Sequence, residues 1–225
     1  ALFKVGDEFQ LGTLVELEGN PASAAMDLAG NSVVVWEAYE RDGDGLGVYG
    51  QLLDTFGDPI GPSFLVNSGF TTGHQGAPTV ARAADGRFVV AWHSNDHDGD
   101  GYGIFAQLYD ATGALVGSEF QVNTTVAGDQ ASPAAAMGDD GRFVIAWQGS
   151  AGDGTTNIYA QRFDSSGTAA GSEFQVNNFT ALDQIMPAVT MNAAGQFAIA
   201  WVSSHPAATI PELDPEKSVF VQWYD

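Results

Sequence analysis

Asp96, Asp98 and Asp100, followed by Gly101, set three carboxylates at alternate positions of a tight loop, in the pattern D-x-D-x-D-G. Calcium takes six to eight oxygen ligands, and such a loop presents several of them from one side. Glu40, Asp42 and Asp44 repeat the spacing in "ERDGDGLG". The pattern predicts a calcium site at each loop. It is not an EF-hand, because the twelfth position counted from Asp96 is Gln107, where a bidentate acid is required. Without that acid the expected affinity is weak, about 10⁻⁴–10⁻³ M. The competing reading is a plain hairpin turn, since Asp and Gly tolerate positive φ. A turn alone does not require three alternating acids, which repel one another.

Histidine is the second chemical signal. The chain has four, His74, His93, His97 and His205, and none recurs from repeat to repeat. Imidazoles converging with acids such as Asp129, Asp183 or Glu212 bind zinc or copper, or work as acid and base near neutral pH. His205 and Glu212 lie in "SSHPAATIPELDPEKS", an acidic segment stiffened by three prolines. His74, His93, His97, His205 and Glu212 are therefore the expected ligand-binding residues.

The elements that position these groups come from a fourfold internal repeat. "GDEFQLG", "GPSFLVN", "GSEFQVN" and a second "GSEFQVN" recur at intervals of about 55 residues, in the range of propeller blades. "VVVWE", "VVAWH", "VIAWQ" and "AIAWV" bring Trp36, Trp92, Trp147 and Trp201 into register. "VYGQLLD", "IFAQLYD", "IYAQRFD" and "VFVQWYD" do the same for Gln51, Gln107, Gln161 and Gln222. Each unit carries four strand-like runs, A to D, separated by turn residues, and no run has a helical period. The A runs are rich in small residues and open on Pro21, Pro78, Pro133 or Pro187, as an innermost strand with proline at its first position would.

The expected fold is all-β: one four-bladed β-propeller of four-stranded antiparallel blades. Blade one spans about 21–68, blade two 77–123, blade three 132–178 and blade four 186–225. Gly6–Leu11, within strand 6–12, repeats the D motif that blade four lacks, and the expectation is that it completes that blade and closes the ring. Strand direction puts the B–C and D–A loops on one face, together with all four histidines and the Asp-rich loops. The recurring Trp residues are read as packing between blades, and the Gln residues as satisfying backbone groups. Asp54, Asp110, Asp164 and Asp225 are read as capping the C–D turns.

The unit "GSEFQVN…GDQASP…DDGRFVIAW…IYAQRFD" resembles a tandem repeat of large secreted bacterial proteins found beside RTX-type calcium-binding repeats. A four-bladed ring also resembles hemopexin-like propellers, in architecture only. The repeat resemblance implies a secreted or cell-surface, calcium-rich setting. It implies no particular activity.

Composition narrows the partners. There are 28 acidic and 7 basic residues, a net charge of −21. Nucleic acid phosphates are repelled by such a surface, and no run is long and apolar enough to insert in a membrane. Cationic small molecules, and carbohydrate or protein ligands, remain compatible. Cysteine is absent, which removes thiolate chemistry. No G-x-S-x-G, H-E-x-x-H or phosphate-cradling loop is present. The sequence thus leans against an enzyme. It favours a secreted, calcium-stabilised binding or adhesion module, with a metal-dependent enzyme or metal carrier built on the histidines as the alternative.

Overall fold

A computed structural model describes residues 22–39, 42–150, 154–204 and 217–225. Every element among them is a strand. Blade one contains β1 (Ala22–Met26), β2 (Ser32–Tyr39), β3 (Leu46–Leu53) and β4 (Pro59–Leu65). Blade two contains β5 (Gln75–Arg82), β6 (Phe88–Asn95), β7 (Tyr102–Tyr109) and β8 (Leu115–Gln121). Blade three contains β9 (Gln130–Met137), β10 (Phe143–Ser150), β11 (Thr156–Phe163) and the short β12 (Phe174–Gln175). Blade four contains β13 (Gln184–Met191), β14 (Phe197–Ser203) and β15 (Ser218–Tyr224). Each blade is an antiparallel meander in chain order: three four-stranded sheets and one of three strands, none of them closed on itself. The strand expected at 6–12 lies outside the described residues.

The blades pack through alternating side chains. In a strand, successive residues point to opposite faces. Val33, Val35, Val48, Leu52 and Val66 of blade one meet Phe88, Val90, Trp92, Phe105 and Tyr109 of blade two. The same positions join blade two to blade three and blade three to blade four. Trp92 and Trp147 are fully buried in these seams, so the tryptophans are packing residues as their recurrence implies. The inner strands β1, β5, β9 and β13 neighbour one another in that order, and no comparable contact joins β1 to β13.

The Gln residues also take their expected place. Gln51 Nε2 donates to the carbonyls of Leu52 and Gly61, and Gln107 and Gln161 do likewise in the next two blades. Asp54, Asp110 and Asp164 each accept two backbone N–H bonds across the C–D turn. Asp225 instead accepts a bond from Gln196 Nε2 at 3.1 Å. The Asn of the "VN" pair that closes the D motif of blades one and two has its own function in the fold. Asn67 Oδ1 accepts from Val48 N and its amide donates to Gln75 Oε1, tying strand C to the start of the next blade. Asn123 repeats this with Ile104 and Gln130.

The A strands begin earlier than proline suggests. β5, β9 and β13 open at Gln75, Gln130 and Gln184, three residues before Pro78, Pro133 and Pro187. The residue ahead of each proline, Ala77, Ser132 or Met186, has φ between 48° and 57°. The strand register slips at this point in all three blades. Proline is tolerated inside the strand because it sits at a β-bulge, where no ladder bond is lost.

Candidate functional site

The residue after each recurring tryptophan points away from the seam that the tryptophan fills. These residues are Glu37, His93, Gln148 and Val202. The first three line an axial cavity of about 1340 Å³ that all four inner strands border. His74, Tyr102 and Asp129 complete its polar wall.

Glu37 is 4% exposed. Its Oε2 accepts the Ala77 N–H of the next blade at 3.0 Å, and burial raises its pKa against the lowering pull of that bond. Gln148 makes the equivalent bond one blade pair on, its Oε1 accepting the Met186 N–H at 3.1 Å. The bulge therefore asks its neighbour for an acceptor, and a neutral amide suffices. A buried carboxyl in the same place meets that need at a desolvation cost that the fold does not require. Such a departure makes Glu37 a candidate functional group.

His93 pairs with Gly76 across β5 and β6. Burial pushes its pKa down to about 4, although Asp129 pulls the other way. Its Nδ1 is sealed without a partner, and its ring lies 4.6 Å from that of Tyr102. Asp129 caps the start of strand C, with Oδ1 accepting from Tyr102 N at 3.1 Å. Asp183 does the same for Thr156 at 3.0 Å. His74 stands at the matching position of its own loop, so it is less independent of the repeat than its residue type suggests.

The remaining expected ligands are dispersed. His97 lies at the rim between blades one and two, its ring stacked 3.8 Å from both Phe70 and Phe105. Its Nδ1 is 3.6 Å from Glu119 Oε1. His205, Glu212 and Glu40 lie outside the described residues. In the Asp-rich loops each carboxylate has a separate partner. Asp98 Oδ2 accepts from Asn123 Nδ2 at 3.1 Å, and Asp42 Oδ2 from Asn67 Nδ2 at the same distance. Asp100 takes the Gly128 N–H and Asp44 the Gly73 N–H. Asp96 accepts from Asn95 Nδ2. Among the described residues, no three His, Asp or Glu side chains gather as a metal-binding group.

Glu37 is the residue that sequence reasoning passed over. Its signal was the position after tryptophan, where acid, imidazole, amide and valine alternate from blade to blade.

Solved structures locate this architecture. The chain is similar to the endo-arabinase of Bacteroides thetaiotaomicron, with 14% identity over 91% of this chain and 75% of that one, at a TM-score of 0.55. It is similar to the α-L-arabinanase of Penicillium chrysogenum complexed with arabinobiose, with 12% identity over 91% and 62% of the two chains, at a TM-score of 0.59. An ulvan lyase, from a family of polysaccharide lyases, matches over 95% and 59% at 10% identity and a TM-score of 0.54. The arabinanases are β-propeller glycoside hydrolases. The propeller fold is thereby shown, at identities that speak for fold alone. No protein-family model and no curated protein matches the chain, so the RTX-associated resemblance gains no support.

These likenesses overturn the expected non-enzymatic binding module, because the neighbours are carbohydrate-active enzymes on this same scaffold. That expectation leaned on the lack of a local catalytic motif. The wall of the axial cavity comes from separate blades, as Glu37, His93 and Gln148 do, and such a grouping leaves no local motif. The metal-enzyme alternative drew its four histidines together, whereas the structure sends His97 to the rim and His74 and His93 to the cavity.

Proposed function

We propose that the chain cleaves glycosidic bonds of a neutral polysaccharide by hydrolysis in the axial cavity. The observation that carries this reading is Glu37: a buried carboxyl, raised in pKa, where the repeat elsewhere is satisfied by Gln148. A carboxyl whose pKa is raised by burial holds its proton to higher pH than an exposed one, which suits it to general acid catalysis. Glu37 gives its proton to the glycosidic oxygen as the bond to the anomeric carbon breaks. Water adds to that carbon and passes its own proton to Asp129, the second carboxylate of the wall. Tyr102, Gln148 and the Ser and Thr hydroxyls of the wall supply hydrogen bonds for sugar hydroxyls.

Hydrolysis is favoured over elimination by charge. Elimination acts on uronates, whose carboxylate needs a cation beside it. No Lys or Arg lines the cavity among the described residues, and the chain as a whole is strongly acidic. A polysaccharide substrate also agrees with a protein acting outside the cell. The test is a panel of neutral and uronate-bearing polysaccharides, with arabinan first, scored for new reducing ends and for unsaturated products. Reducing ends from a neutral polymer alone support the proposal. Unsaturated products, or no cleavage of any neutral polymer, would overturn it.

The scaffold reading follows from the same repeat. We propose that Gly6–Leu11 adds to the edge of β15 as the fourth strand of blade four and brings blade one against it. Val219, Val221 and Trp223 are 76%, 55% and 69% exposed, whereas their counterparts Ile104, Ala106 and Leu108 in blade two are at most 4% exposed. A disulfide between cysteines placed at paired positions of Gly6–Leu11 and β15 should form in the monomer. Its failure to form would count against closure.

A further inference from the structure

We infer that His93 donates a hydrogen bond from Nε2 to the same substrate oxygen that Glu37 protonates, and that Gly76 is the residue that admits this oxygen between them. The inference rests on reading the cavity as a glycosidic-bond-cleaving site. It adds a second group acting on the leaving oxygen and a residue that sets access to it.

Position 76 is flanked by both groups. A Cβ built on Gly76 would stand 2.7 Å from Glu37 Oε2 and 3.1 Å from His93 Nε2. Glu37 and His93 make no direct bond, so the missing side chain leaves a gap between two hydrogen-bonding groups. Gly76 borders the cavity, and the gap opens into it.

The backbone does not demand glycine here, because Gly76 is not among the residues with positive φ. The matching positions of blades three and four carry Ala131 and Ile185. The fold accepts a side chain at the matching place of those two blades, and blade two lacks one beside the blade-one residue that is a carboxyl.

The buried side of His93 assigns its proton. Nδ1 is sealed without a partner. An unpaired N–H is the rarer and costlier group to bury, so Nδ1 is the bare nitrogen and Nε2 carries the hydrogen. Burial holds the ring neutral down to about pH 4. As Glu37 transfers its proton and the glycosidic C–O bond breaks, the departing oxygen accepts from Nε2–H. A fixed donor placed where charge changes stabilises the transition state.

The repeat supplies variants whose side chains the fold already carries elsewhere. His93→Gln introduces the residue of blade three and keeps a donor. His93→Val introduces the residue of blade four and removes it. Gly76→Ala introduces the residue of blade three and fills the gap. Nitrogen-15 NMR of the free protein is expected to show His93 as the Nε2–H tautomer. On the polysaccharide that the wild type cleaves, His93→Val and Gly76→Ala should each lose about 10²-fold in kcat or more. His93→Gln should stay within about tenfold of the wild type and melt with it, whereas Gly76→Ala should also melt lower, because its Cβ displaces the Glu37 carboxyl. An Nδ1–H tautomer overturns the inference, as does a His93→Val variant as active as His93→Gln. A wild type inactive on every neutral polysaccharide overturns the reading of the cavity instead, while the tautomer decides the donor assignment with no substrate present.

Discussion

Glu37 and Gln148 hold equivalent positions in blades one and three and make the same bond across the blade junction, to the Ala77 N–H at 3.0 Å and to the Met186 N–H at 3.1 Å. One is a carboxyl raised in pKa by burial and the other an amide. The fold thus contains its own control for the acid, and the first prediction follows from it.

Glu37→Gln should leave the propeller intact and no less stable. Burial raises the folded-state pKa of Glu37, so its ionised form weakens the fold as pH rises above the unfolded carboxylate value. The variant should therefore match the wild type in acid and melt higher at alkaline pH, by calorimetry. A lower melting temperature at pH 8 would show that the fold needs the charge.

Glu119 gives a larger effect of the same sign. Its side chain is 9% exposed, burial pushes its pKa up to about 7, and Oε1 is sealed without a hydrogen-bond partner. The cost of ionising it is absent below the unfolded value of 4.5 and grows until pH passes about 7. Glu119→Gln keeps an acceptor for Gly69 N–H and should be more stable than the wild type at pH 8. Near pH 4 it should gain almost nothing. Urea unfolding at the two pH values separates the outcomes, and equal gains at both would refute the assignment.

Asp27 and Arg82 form a buried ion pair between blades one and two, 3.0 Å apart, with side chains 5% and 3% exposed. Removing one partner leaves an uncompensated buried charge. Asp27→Ala should destabilise the fold by chemical denaturation, since it loses the ion pair and the Asn31 N–H bond together. Adding Arg82→Met should recover most of that loss, and an additive double variant would contradict the pairing.

The Asp-rich loops yield a fourth prediction. The carboxylates of Asp96, Asp98 and Asp100 turn to three different partners, and Asp98 is held within the Asn123–Gln130 network. Calcium at 1 mM, a concentration near the roughly 10⁻⁴–10⁻³ M affinity of extracellular modules, should shift the melting temperature little relative to chelator. A large upward shift, lost in Asp98→Asn, would show that the loops rearrange to gather their acids around the ion.

The strands, their grouping in blades and the placing of Trp92, Gln107 and Asp110 were legible because each recurs at fixed spacing and answers a local need. The starts of β5, β9 and β13 were misread because proline normally stands at the end of a strand, and only the positive φ of Ala77, Ser132 and Met186 explains it inside one. The site was harder to read. His93 and His97 are four residues apart, yet one reaches the axis and the other the rim beside Phe70. Radial distance from the axis is set by blade packing, which periodicity does not encode. Glu37 sits on a strand beside a tryptophan, and its place as the acceptor for the Ala77 N–H becomes visible only when the next blade is set against it.

The central claim is that Glu37 is the acid that cleaves a neutral glycan. The direct measurement is the rate of reducing-end release by wild type and Glu37→Gln on the same neutral polysaccharide across pH. The account predicts a wild-type rate that falls as pH rises through the raised pKa of Glu37, and a loss of about 10²–10⁴-fold in the variant with its melting temperature preserved. A Glu37→Gln variant that cleaves as fast as the wild type, with the same pH profile, would contradict it.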